Sequence, residues 1–196
     1  MNPMDDLSRA AAVESLFAVL RGAATEDYVG EPISQLEHAL QCAALAEGAG
    51  ASDDEVLAAL FHDLGHLTAP PEAPRMGGLG VLFHETVGAA FLRAHGMDEA
   101  VCALVAGHVQ AKRYLVATRP AYAAALSPAS TGTLAHQGGP MSAAEVAAWD
   151  AEPRRDAWLR LRSWDERAKV PGAPVPSLDH YRLRCLARLT GPVTAP

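Results

Sequence analysis

The sequence predicts an all-α fold, on three observations. Apolar residues recur at helical spacing through most of the 196 residues, three Ser-x-x-Glu patterns mark helix starts, and no stretch alternates with a period of two between hairpin turns. A first helix is read from Ala12, Leu16, Val19 and Leu20. A second, through Leu36, Leu40, Ala43 and Ala44, is entered by the Ser34/Glu37 capping pair. A third begins at Ser52, capped with Glu55, and carries Val56, Leu57, Leu60 and Leu64. The run from Thr68 to Gly80 combines proline and glycine and predicts a long loop, with a second irregular stretch around Gln137-Gly138-Gly139-Pro140. Ser142/Glu145 opens a further helix. The proline-rich Val170 to Ser177 is a short connection to a last helix around Leu178 to Leu189, not a linker between domains. Abundant alanine favours close helix packing. The prediction is one domain over residues 1–196 with seven to nine helices.

Composition narrows the function classes. Sixteen basic against 23 acidic residues give a net charge of −7, so bulk electrostatics favours neither nucleic acid nor an anionic membrane as a partner. The three cysteines, Cys42, Cys102 and Cys185, are far apart and odd in number, which predicts reduced, buried thiols and a cytoplasmic protein. The first residues lack a secretory pattern, and no apolar run reaches the roughly 18 residues of a membrane span. Eight histidines stand out, since imidazole is the commonest metal ligand.

The ordered array is His38, then His62-Asp63, His84, His108 and Asp165. Adjacent His62 and Asp63, at the tip of the third helix, can offer an imidazole and a carboxylate to one ion, with His66 a turn further on. A histidine alone in a helix is usually structural. Six such residues contributed by several helices are what a two-metal site in a helical core requires. His95, His136 and His180 lie outside the array and are read as structural or surface residues.

His38, His62-Asp63 and Asp165 match the ligand signature of the HD-domain superfamily of metal-dependent phosphohydrolases and their relatives, and His84 and His108 match its two-metal subset. The stretches Asp27-Tyr28-Val29-Gly30-Glu31, Gln35-Leu36-Glu37-His38, Gly107-His108-Val109, Ala111 to Val116 and Gln137 to Met141 resemble the PhnZ-type mixed-valent diiron oxygenases. The resemblance runs from about Asp27 to Lys169. It implies an HD-domain helical bundle with a dinuclear site in its core, holding Fe(II) and Fe(III), with dioxygen as co-substrate. It implies cleavage of the carbon–phosphorus bond of a small organophosphonate, 1-hydroxy-2-aminoethylphosphonate, to a carboxylate such as glycine and inorganic phosphate. In that scheme His38, His62, Asp63 and Asp165 hold one iron, His84 and His108 the other, and Asp63 bridges.

The same resemblance assigns surrounding roles. Lys112, one turn after His108, and Arg162, one turn before Asp165, would face the phosphonate, with Ser130 and Gln137 bonding the same group. His66 would act on the substrate hydroxyl as acid, base or orienting group, or hold a ligand in place. Tyr28 would occupy an iron position and yield to substrate, and Glu31 would pair with the substrate ammonium; a helical start would align both on the metal-facing side. Two alternatives stand beside the amino compound: an oxygenase specific for its trimethylammonium analogue and, outside that class, an HD phosphohydrolase acting on a phosphate ester or nucleotide. A metal-stabilised scaffold is the third class, and it has no use for Lys112, Arg162 and Gln137 beside the metals.

Overall fold

Helix starts are set by side-chain caps, and the strongest are the three that the sequence marks. Ser34, Ser52 and Ser142 each accept from the amide three residues on, and Glu37, Glu55 and Glu145 reach back to the cap amide. The computed structural model describes residues 4–28 and 30–191. Within them the chain forms α1 (Asp6–Gly22), α2 (Gln35–Gly48), α3 (Asp53–Phe61), α4 (Leu64–Thr68), α5 (His84–Ala94), α6 (Glu99–Thr118), α7 (Pro120–Ala125), α8 (Pro128–His136), α9 (Ala143–Asp150), α10 (Arg155–Arg167) and α11 (Arg182–Ala187). Three 3-10 turns, Ala23–Thr25, Gly77–Leu79 and Leu178–Tyr181, complete the regular structure. Among the described residues there are isolated bridges but no strand, as the missing two-residue period predicts.

The eleven α segments exceed the seven to nine predicted, for local reasons. The third predicted helix is two: Asp63 adopts φ −97°, ψ 6°, which ends α3 at Phe61 and restarts the chain as α4. Pro120 and Pro128 begin the short α7 and α8, where a missing amide hydrogen is tolerated. The predicted last helix is a 3-10 turn followed by α11.

The core forms where α2, α3, α6 and α10 meet, with α1 and α11 packed on one side and α5 against α4 and α6. Leu16 and Phe17 of α1, Leu57, Leu60 and Phe61 of α3, Val101 and Val105 of α6 and Leu161 of α10 are buried together. Burying each such side chain is worth about 1.5–3 kcal/mol before the entropy of ordering is counted. Cys42, Cys102 and Cys185 are buried free thiols, as predicted. No helix of the described residues is long and apolar enough to cross a membrane.

Close approach of α4 to α5 sets the site's geometry. A Cβ on Gly65 would lie 1.9 Å from the His84 carbonyl oxygen and 2.7 Å from the Gly88 amide, and one on Gly88 would lie 2.9 Å from the Gly65 amide. The backbones bearing His62-Asp63 and His84 therefore touch directly, which only glycine allows. We predict that Gly65→Ala destabilises the protein by at least about 3 kcal/mol, read as a fall in the denaturation midpoint, because neither helix backbone can yield by an ångström.

Candidate metal centre and substrate pocket

The four imidazoles are oriented from behind. His38 Nδ1 lies 2.8 Å from the Ala168 carbonyl oxygen, His62 Nδ1 2.9 Å from Ala59, His108 Nδ1 2.8 Å from Val105, and His84 Nδ1 3.3 Å from Val81. A carbonyl only accepts, so each Nδ1 carries the proton, and a neutral ring turns a bare Nε2 lone pair forward. Those nitrogens meet in pairs. His38 and His62 Nε2 are 3.2 Å apart, and His84 and His108 Nε2 3.0 Å. Two lone pairs at that distance repel unless a cation, a proton or a metal ion, sits beside them.

The carboxylates complete both pairs. Asp63 Oδ2 is 3.4 Å from His62 Nε2 and 3.8 Å from His38 Nε2, while its Oδ1 is 3.3 Å from His84 Nε2 and 3.6 Å from His108 Nε2. Asp165 Oδ1 adds a donor 3.4 Å from His38 Nε2 and 3.9 Å from His62 Nε2. Neighbouring donors on one ion with bonds of about 2.1 Å are about 3 Å apart. One set of four donors, from His38, His62, Asp63 and Asp165, and one of three, from Asp63, His84 and His108, thus suit two ions that share Asp63. All six residues lie within this constellation, brought by α2, the α3–α4 junction, α5, α6 and α10. Cys42 Sγ, 3.6 Å from His38 Nε2, stands beside the first set, and sequence reading assigned it only a buried thiol.

Protonation follows the same geometry. Burial opposes a charge on His62, but Asp63 and Asp165 outweigh it and raise the group to about 9. Burial likewise pushes Asp63 and Asp165 up, yet His62 and His84 around the former, and Arg162 with His38 and His62 around the latter, hold both well below the usual carboxylate range. Burial beside His84 and His62 keeps His108 neutral. Without a metal, one proton therefore takes the place of a cation in the first set.

A cavity of about 240 Å³ opens onto these donors, lined also by Tyr28, Glu31, His66, Lys112, Ser130, Gln137 and Arg162. Every residue predicted for substrate contact is thus at the cavity wall, but three differ in detail. Tyr28 and Glu31 do not start a helix. Gly30, at φ +80°, and Pro32 break the helical path, and the Glu31 amide donates to the Tyr28 carbonyl in a turn closed by the Tyr28 amide on Ile33. Tyr28 instead stacks on His38, ring centroids 3.9 Å apart, and burial with Asp165 and Asp63 nearby keeps its phenol protonated. The Arg162 fork is already engaged by Asp165 and Glu166, and its Nε donates to the Tyr122 hydroxyl at 2.9 Å, so it holds Asp165 in place. Glu31 is paired with Lys169, 3.2 Å away.

His66 lies between the Val81 amide and the His84 ring. Its Nδ1 accepts from the Val81 amide at 3.1 Å, its ring stacks on His84 at 4.0 Å, and burial with His84 nearby lowers it to about 3. It is a neutral ring whose remaining nitrogen, Nε2, donates. Gly80, at φ +98°, makes room for that ring, since a Cβ there would lie 2.7 Å from it. The predicted Thr68 to Gly80 loop therefore helps wall the cavity, through Arg75, Met76, Leu79 and Gly80.

Thr133, Tyr122, Glu166 and Lys169 carry no signal of their own in sequence. Thr133 sits four residues before Gln137 and accepts from Lys112 Nζ at 2.8 Å. Lys112 is 4% exposed, and a hydroxyl is its one hydrogen-bond partner among the described residues. Its charge is thus uncompensated by a bonded carboxylate. Gln137 Oε1 is buried and has no hydrogen-bond partner among the described residues, so that wall carries an unused polar atom.

The site and fold define a helical protein whose clustered imidazoles and carboxylates could hold metal ions. The HD-domain family model matches residues 36–143, and the chain belongs to that family. It is 39% identical over 80% of its length to an uncharacterised protein of Acanthamoeba polyphaga mimivirus, covering 72% of it. A [1-hydroxy-2-(trimethylamino)ethyl]phosphonate dioxygenase (glycine-betaine-forming) of Leisingera caerulea is 36% identical, with 89% of each chain covered. A hydroxymethylphosphonate dioxygenase of Gimesia maris is 39% identical over 86% of this chain and 84% of its own.

Burial, opposed only weakly by Asp165 and Glu166 and reinforced by Arg162, lowers Lys112 to about 7, against 10.5 in an unfolded chain. Below pH 7 both states carry the proton and burial of the charge costs the full amount. Between about 7 and 10.5 the folded protein sheds it first, so stability rises with pH. Lys112→Met should therefore stabilise the metal-free protein by on the order of 3–5 kcal/mol at pH 6 and progressively less towards pH 10, as read by denaturant titration.

Proposed function

We propose that the protein is an iron-dependent oxygenase that cleaves the carbon–phosphorus bond of a 1-hydroxyalkylphosphonate, giving a carboxylate and inorganic phosphate. The observation that carries this reading is the pair of donor sets sharing Asp63 beside the uncompensated ammonium of Lys112. Four neutral imidazoles with two carboxylates leave two ions with net positive charge, suited to an anionic substrate. The two dioxygenase relatives, whose names both specify hydroxyphosphonates, support the same class. The cavity, at about 240 Å³, lies below the roughly 300–1,000 Å³ of pockets for drug-sized ligands, which favours a substrate of a few heavy atoms over a nucleotide.

The reaction balances with one dioxygen and no external reductant: R–CH(OH)–PO₃H₂ and O₂ give R–COOH and H₃PO₄. An Fe(II)/Fe(III) pair, held by His38, His62, Asp63 and Asp165 and by His84, His108 and Asp63, would supply dioxygen activation and bind substrate oxygens. The remaining work belongs to side chains. Lys112 Nζ binds a phosphonate oxygen, with Ser130 and the Gln137 amide completing that wall. Tyr28, a neutral phenol against His38, gives way as the substrate hydroxyl enters. His66 Nε2–H donates to that oxygen, orienting the carbon-bound hydrogen towards the reacting oxygen. Arg162 fixes Asp165, so the first donor set keeps its shape through turnover. An amino substituent facing Glu31 belongs to this reading only where that carboxylate is free of Lys169.

Iron-loaded protein should consume one dioxygen for each phosphate released from hydroxymethylphosphonate or its 2-amino homologue. Phosphate release from a phosphate ester without oxygen uptake would replace the oxygenase by a hydrolase. Asp63→Ala removes the shared ligand and should lower bound iron from about two per chain to one or fewer, measured by metal analysis after gel filtration.

A further inference from the structure

The cavity wall holds a closed ion pair that no ligand set uses. Lys169 Nζ lies 3.2 Å from Glu31 Oε1 and 3.8 Å from Glu166 Oε2, and the Lys169 and Glu31 side chains are only 14% and 16% exposed. Both line the cavity, so the carboxylate that an incoming ammonium would seek already has one. The other buried cations are disposed differently: Arg162 is matched by Asp165 and Glu166, and Lys112 is held by a hydroxyl. The cavity interior thus presents an unmatched positive charge at Lys112 and an internally neutral pair at Glu31, while the further lining carboxylates Glu26 and Asp27 are exposed to solvent, where water screens them.

We propose that Lys169 is a specificity-determining residue which, by pairing with Glu31, closes the cavity to cationic substituents and selects a hydroxyphosphonate with a small uncharged end. The substrate class is that of hydroxymethylphosphonate, which leaves the pair undisturbed. An ammonium next to Glu31 would have to displace Lys169 or lie within a few ångströms of its charge, in a site where water screens little. A substituent of a single hydrogen meets no such cost. The backbone supports this fixed arrangement, because Val170, next in the chain, is clamped by both ends of the Gln41 amide, at 3.0 and 2.9 Å.

The inference rests on the oxygenase reading, and a two-armed experiment separates their failures. In the first arm, kcat/KM for oxygen-dependent phosphate release is measured for hydroxymethylphosphonate and 1-hydroxy-2-aminoethylphosphonate. The unaltered protein should favour the former at least tenfold; Lys169→Met should bring the amino substrate up at least tenfold relative to it, while Lys169→Arg keeps the original order. In the second arm, binding of the unreactive methylphosphonate and 2-aminoethylphosphonate to iron-loaded protein is measured by calorimetry, and the same order and reversal are expected. Absence of turnover with both substrates removes the oxygenase reading but leaves the binding arm to decide on Lys169. A preference of the unaltered protein for the ammonium compound overturns the inference without any variant. So does an equal effect of Lys169→Met on both ligands, or binding of neither.

Discussion

Everything at this site depends on the meeting of four imidazole lone pairs. Each ring spends its Nδ1 proton on a carbonyl of a neighbouring turn or segment, and that choice leaves Nε2 with nothing to donate whenever the ring is neutral. Packing then forces these nitrogens to within 3.0–3.2 Å in two pairs. Such an arrangement is costly for an empty apolar core and natural for one that is completed by cations. The carboxylates follow from it: Asp63 gives one oxygen to each pair, and Asp165 serves the first.

That constraint explains why the surrounding helices are built as they are. Two charged carboxylates in a helical interior need compensation, and Arg162 supplies it from the same helix as Asp165, with Tyr122 and Glu166 holding the guanidinium in turn. The break between α3 and α4 places His62 and Asp63 where the helix path changes direction, so adjacent residues can face one centre. Gly65 and Gly88 then let α4 and α5 meet backbone to backbone and bring His84 onto Asp63.

Much of this was legible in the chain, for identifiable reasons. The capping boxes at Ser34, Ser52 and Ser142 are local interactions completed within four residues, so sequence carries them whole. That His38, His62, Asp63, His84, His108 and Asp165 converge was legible because their order matches a family signature. What sequence did not carry was partner choice across the fold. Nothing near Lys169 says that its ammonium meets Glu31, 138 positions earlier, and nothing near Lys112 says that Thr133 accepts its proton. The helical start read at Tyr28 and Glu31 failed because spacing was weighed above Gly30 and Pro32, the two residues that set the backbone there. Arg162 was placed correctly on the cavity, but its fork was read as free, since the competing Glu166 lies on the same helix and its orientation depends on packing.

The segment from Ala168 to Val170 has a consequence for how such a protein can change. The Ala168 carbonyl anchors His38, and the Val170 amide and carbonyl are both gripped by Gln41, one turn along the same helix from His38. All three contacts are made with main-chain atoms of this segment, and none with the side chain between them. Residue 169 can therefore be exchanged while the peptide units that orient His38 stay where they are. The orientation of His38 is in this way written in backbone, and the charge on this stretch of cavity wall in a single replaceable side chain.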